Sequence, residues 1–149
     1  MASVHDVAAY ITQHFGSSIS TMKLQKLCYM AQGWSLALRD RELFSEDFEA
    51  WKNGPVCYEL FNHHRGDYNV SDWRWGSREK LNANERVVLD AVLRNYGALS
   101  GLQLSDRTHQ AGTPWRAVRD DEGLRDGQSS GASIPKELIK TSFKQSLRV

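Results

Sequence analysis

The chain is 149 residues long, 40% hydrophobic and 10% aromatic, with 19 basic against 18 acidic residues and a formal charge of +1. That length fits one domain able to bury about 70% of the surface its unfolded chain exposes, and the apolar content excludes intrinsic disorder. No run approaches the roughly 20 apolar residues that cross a bilayer, and the near-balance of charge excludes bulk attraction to nucleic acid or an anionic membrane.

The first stretch, MASVHDVAAYITQHF, lacks the basic start and apolar core of a secretory signal, so the cytoplasm is the expected compartment. Ser3 is placed to cap a short amphipathic helix with Val4, Val7, Ala8, Ile11 and Phe15 at helical spacing. Gly16 and the serines that follow end it. The next stretch, TMKLQKLCYMAQGWSLALRD, is the element around which the chain is organised. Leu24, Leu27, Cys28, Ala31, Trp34 and Leu38 share one face, while Tyr29, Met30, Leu36 and Ala37 make most of the rest apolar. Only Lys23, Lys26 and Gly33 leave a polar stripe, so several neighbours must cover this helix; Thr21 is its expected N-cap.

After Asp40 the helical period is lost, and Asn53-Gly54-Pro55 carries strong turn chemistry, which leaves room for one short hairpin. A helix from Val56 to about His64 follows, with Cys57, Leu60, Phe61 and His64 on one face and Gly66 closing it. DYNVSDWRWGSREK reads as a loop packing aromatics onto the core. A second long helix spans Ala83 to Tyr96, opened by an Asn82/Glu85 capping box and stopped by Gly97. Arg86, Asp90 and Arg94 form its outer stripe; Val88, Leu89, Val92, Leu93 and Tyr96 face inward. Ser100 caps a further helix reaching about His109, and Thr113-Pro114 begins a helical turn. DDEGLRDGQSSGAS is predicted to be a mobile surface loop, and Pro135 starts a terminal helix with Leu138, Ile139, Phe143 and Leu147 inward. The fold class is therefore mainly α: one helical domain over residues 1–149 around a central buried helix, with at most one small β-hairpin.

Catalytic chemistry is poorly supported. Ser105, Asp106 and His109 are neighbours on one helix, but a hydrolytic triad needs a base held by a third group and an oxyanion site, and no G-x-S-x-G elbow occurs. Cys57 with His63, His64 or His109 lacks the paired spacings of a zinc site, so no metal or other cofactor is expected. Phosphate-binding glycine loops are missing. A helix-turn-helix starting near Ser100 would place Asp120, Asp121 and Glu122 behind Arg116 and Arg119, where they repel phosphate, so nucleic acid is not an expected partner.

Three ordered blocks carry a resemblance. L-x-K-L-x-Y-x-A-Q-G-W holds Lys26, Leu27, Tyr29, Ala31, Gln32, Gly33 and Trp34; W-K-N-G-P holds Trp51, Gly54 and Pro55; and L-S-x-x-T-H-x-x-x-x-P-W holds Leu104, Thr108, His109, Pro114 and Trp115. With the closing IPKELIKTSF, the chain from about Val4 to Phe143 resembles the SocA-like Panacea domain family, antitoxins of bacterial and prophage toxin–antitoxin modules that include phage-associated proteins. The resemblance implies a mostly helical domain that neutralises a cognate protein toxin by direct binding. Delivery of a toxin to the ClpXP protease is a family precedent, and a DNA-binding regulator is a further alternative. No catalytic role is implied for the motif residues, most of which are expected to be structural: Leu27, Ala31 and Trp34 in the core, Gly54 and Pro55 fixing a turn. Trp51, Asn53, His109 and Trp115 are candidate partner contacts, and Trp73 and Trp75 candidate anchors, because tryptophans in a non-periodic loop are costly in water.

Overall fold

The computed structural model describes residues 1–147. Helix α1 (Val4–Phe15) is opened by Asp6, whose carboxylate accepts the Ser3 N–H at 2.8 Å, and is closed by Gly16 in the left-handed region. A two-residue strand β1 (Ile19–Ser20) leads into the 19-residue helix α2 (Thr21–Arg39). The cap of α2 is Ser20, one residue earlier than the sequence expectation of Thr21: Ser20 keeps extended backbone angles and its hydroxyl accepts the Lys23 N–H. Thr21 instead donates its hydroxyl to the backbone carbonyl of Asp67. At the far end Asp40 takes the left-handed conformation.

Strands β2 (Phe48–Trp51) and β3 (Gly54–Val56) form the hairpin around Asn53-Gly54-Pro55, and helix α3 (Tyr58–His64) follows. β4 (Asn69–Val70) pairs antiparallel with β1, and a 3-10 turn at Arg78–Lys80 precedes α4 (Ala83–Tyr96). Both halves of the α4 capping box form, Asn82 with Glu85. Then come α5 (Gly101–Thr108), α6 (Pro114–Asp121), β5 (Ser133–Ile134) and α7 (Lys136–Gln145). β5 adds to the free side of β2, so a three-stranded antiparallel sheet, order β3-β2-β5, stands where a hairpin alone was expected.

The fold is mainly α, and α2 is its axis. It packs against α1, α4, α5 and α7 and against β3. Leu24, Leu27, Cys28 and Ala31 are fully buried. Gly33 is required on the α7 side, because a Cβ there would collide with the Phe143 ring. Two apolar residues depart from expectation: Leu38, placed on the inner face, is 57% exposed, and Leu147, beyond the end of α7, is also exposed. Trp34 is half-buried rather than enclosed, and its indole N–H donates to the Tyr96 hydroxyl at 3.0 Å. Lys26 departs the other way. It is 1% exposed, because the sheet covers the face that its charge had marked as solvated.

Candidate functional site: a clamped hairpin and the surface beside it

The hairpin turn is where the separate helices meet. Gly54 at φ 115° makes the reversal, and a Cβ there would lie 2.7 Å from Lys26 Cε, so both the backbone angle and the space demand glycine. Such a turn leaves backbone carbonyls with no strand partner, and each buried one costs about 1–3 kcal/mol if unpaired. Here the helices supply the donors. Arg119 of α6 donates to Ala50 O at 2.8 Å, and Trp115 Nε1 donates to Trp51 O at 2.5 Å. From the end of α5, His109 Nε2 stands 3.3 Å from Lys52 O, and Ser105 Oγ donates to Asn53 O at 2.6 Å. Lys26 Nζ of α2 donates to Pro55 O at 3.0 Å. Four carbonyls of one short hairpin are thus held by donors from three helices, and the His109 ring stands against a fifth. Gln25 extends the clamp, its amide giving a proton to Cys57 O and accepting the Cys57 N–H.

The electrostatics of the clamp are unusual. Lys26 faces backbone carbonyl rather than a carboxylate, and burial pulls its ammonium down to about 7. Arg119 is fully buried, lies over the Trp115 ring, and also donates to Arg125 O and Gln128 O. That cation organises the segment predicted to be a mobile loop: it is drawn around a buried guanidinium, and the Arg116–Asp126 ion pair at 2.7 Å fastens it from outside.

The clamp turns one face of the hairpin outward. Lys52 and Asn53 are exposed at the tip, and Trp51, half-buried, packs edge-on against Phe61 at 4.9 Å while its N–H is taken by Glu49. Arg65 lies over Phe61, and the exposed Tyr58 accepts a hydrogen bond from Arg65. A concavity of about 610 Å³ opens beside Trp51, lined by Glu49, Lys52, Tyr58 and the backbone near Ser130.

Against this geometry the comparisons with known proteins can be placed. The model of the family described as antitoxin SocA-like, Panacea domain, matches residues 24–116, which takes in the donors of α2 and α5 and Trp115 of α6. The chain belongs to the SocA-like Panacea domain family. Antitoxin SocA of Caulobacter vibrioides (strain NA1000 / CB15N) is 31% identical over 140 residues, covering 85% of this chain and 72% of that protein. No solved structure matches. Family membership supports an antitoxin role and, with it, a toxin partner.

Within this Panacea domain the three motif blocks are brought together as the clamp: Lys26 from the first, Trp51, Gly54 and Pro55 from the second, Thr108, His109 and Trp115 from the third. Leu27, Leu104 and Pro114 are buried beside them, and Gln32 ties the Leu43 N–H and the Phe44 carbonyl to α2. Tyr29 is buried with burial pushing its phenol up. Trp115 is fully buried and Trp73 is 2% exposed, so neither offers a surface to a partner. Trp73 is held inside by its N–H donating to His5 Nδ1 at 3.2 Å, a partner 68 residues away that spacing does not show. Trp75, 43% exposed, is the open member of the pair and rests on His63. Sequence reasoning missed Lys26 as a buried donor, Arg119 as the loop's organiser, and Tyr58 and Arg65 as surface neighbours of Trp51. A lysine inside an otherwise apolar helix was the available signal for the first.

The alternative chemistries find no assembled centre. The Ser105 proton goes to Asn53 O, and His109 Nδ1 faces the Ser105 carbonyl at 2.6 Å rather than its hydroxyl, while Asp106 points to solvent. Burial pushes the Cys57 thiol up to about 12, far from a nucleophilic thiolate. Among the described residues no three His, Cys, Asp or Glu side chains are gathered as metal ligands, and no helix is long and apolar enough to cross a membrane.

Proposed function

We propose that this Panacea domain neutralises its partner toxin by direct, stoichiometric binding, with the hairpin tip and the adjoining face of α3 as the docking surface. The observation that carries the reading is the clamp: four carbonyls tied to three helices leave Trp51, Lys52 and Asn53 presented on a turn with little slack. A preorganised surface avoids the ordering cost that otherwise consumes binding energy, and half-buried aromatics with an arginine beside them are the side chains on which interfaces depend most. Trp51, Tyr58 and Phe61 with Arg65 are the anchors, Asn53 offers polar contacts at the tip, and Trp75 stands as a further exposed aromatic. His109 and Trp115 act behind the surface by positioning it.

The test is co-expression and titration with the toxin encoded in the neighbouring reading frame. Trp51→Ala with Tyr58→Ala should keep the helical circular dichroism of the parent and weaken toxin binding by about 30-fold or more. Unchanged affinity in a folded double variant rejects this surface. Protection requiring near one-to-one protein, with toxin levels that do not rise when ClpXP is removed, distinguishes occlusion from delivery to degradation.

A further inference from the structure

Helix α2 is apolar nearly all the way round, yet the described chain leaves one strip of it uncovered. Leu38 on its last turn is 57% exposed and Trp34, one turn earlier, is half-buried. Across from them α4 presents Ala91 over the buried Val88, with Val87 66% exposed at the rim. The two helices wall a groove of about 420 Å³ at its centre. Past Leu38 it continues between Arg39, Arg41 and Asn84, and at the other end it runs under Arg107 beside Tyr96. Along α4 the lining extends from Asn84 to Tyr96, about 18 Å at 1.5 Å per residue.

The charges along it share one sign. Arg39 and Arg41 stand at one end and Arg107 at the other, and no carboxylate is among the described residues that line these stretches. None of the three arginines forms an ion pair among the described residues. The acids nearby are already engaged: Asp40 with Lys140 and Lys144, Glu42 with Lys136, and Glu85 with the Asn82 N–H. An apolar floor with a cation at each end selects its occupant. A second copy of this chain seated symmetrically would set these arginines against one another, which like-charge repulsion opposes.

We infer that the groove between α2 and α4 seats an amphipathic helix of a partner protein, about three turns long, whose apolar stripe meets Trp34, Leu38, Val87 and Ala91 and whose acidic residues reach Arg107 at one end and Arg39 and Arg41 at the other. Two packed helices with an open seam are the usual receiver for such a segment, read through side chains at i, i+3, i+4 and i+7. This surface is lined by none of the residues assigned to the hairpin face, so the chain holds two separate docking faces.

The experiment uses the full chain, labelled with 15N, and a stapled designed helix of about 14 residues carrying a leucine stripe flanked by glutamates. Amide shifts at Trp34, Leu38, Val88 and Arg107, with Trp51 and Asn53 unmoved, are expected. The same peptide with lysine for glutamate should bind at least about tenfold more weakly, and Arg107→Glu, which keeps the parent melting temperature, should narrow or reverse that preference. Equal binding of both peptides, shifts away from the groove, or no binding overturns the inference. So does a dimer that Leu38→Glu dissolves, since the occupant would then be a second copy. None of these results bears on the hairpin variants, which are scored on toxin affinity.

Discussion

The two sides of α2 treat polarity in opposite ways. Toward the hairpin it buries a lysine, Lys26, at 1% exposure; toward α4 it leaves a leucine, Leu38, at 57%. On the first side Lys26, Ser105, Trp115 and Arg119 donate to backbone carbonyls of the hairpin, and the result is a turn tied to three helices. On the second, apolar side chains and arginines that form no ion pair among the described residues stand beside an open seam. The difference teaches that helix amphipathicity sorts residues by what the rest of the fold supplies: an amine goes inside where a carbonyl is there to receive it, and an apolar residue stays outside where no described element covers it.

If the hairpin side is the rigid one, the largest loss of stability follows from removing its deepest wedge. Trp115→Ala should cost about 3–5 kcal/mol in urea unfolding, since it opens a cavity and leaves Trp51 O without its donor. A loss under about 1 kcal/mol would mean that the clamp is not rigid. Lys26 gives the next effect, through pH. Its folded value near 7 lies below the ordinary 10.5, so the unfolded chain binds more protons between these limits. Stability contributed at this position therefore rises with pH through that window, by up to about 1.4 kcal/mol per unit, and is lost as pH falls through 7. Buried Tyr29 and Cys28, whose values are raised, pull the other way at high pH, so the measurement is the difference between the parent and Lys26→Met, which should fade where Lys26 is neutral in both states.

Gly54→Ala should cost about 1–3 kcal/mol from its positive φ alone, with a shifted Lys26 adding to it, as read by thermal melts. The smallest effect belongs to the open side. Leu38→Ser should change stability by less than about 0.5 kcal/mol, because the side chain has already stayed in water. A large loss there would close the seam and remove the contrast.

Much of this architecture was legible in the residues because local signals and tertiary packing agreed. The limits of α4, its Asn82/Glu85 box and the Gly97 stop follow from chemistry within a few residues of one another, and the structure reproduces them. The central place of α2 followed from its circumference, although its cap shifted by one hydroxyl and Leu38 turned out. What periodicity could not show were partners supplied from afar. Lys26 was placed on the polar stripe because Pro55 O is 29 positions away, the tie that holds Trp73 inside was hidden because His5 is 68 positions away, and nothing marked Arg119 because the loop that encloses it has no apolar pattern. The motif blocks hold Lys26 and Trp115 of the clamp but not Arg119, and the surface beside it at Tyr58 and Arg65 carries no spacing signal at all.

The pairing of β5 with β2 has a consequence in time. The sheet behind the tip joins Glu49 to Ser133, so its third strand is synthesised long after the strand with which it pairs. At roughly 5–20 residues per second, the interval between synthesis of the two strands is on the order of ten seconds. A nascent product that stops short of Ser133 therefore lacks the finished platform.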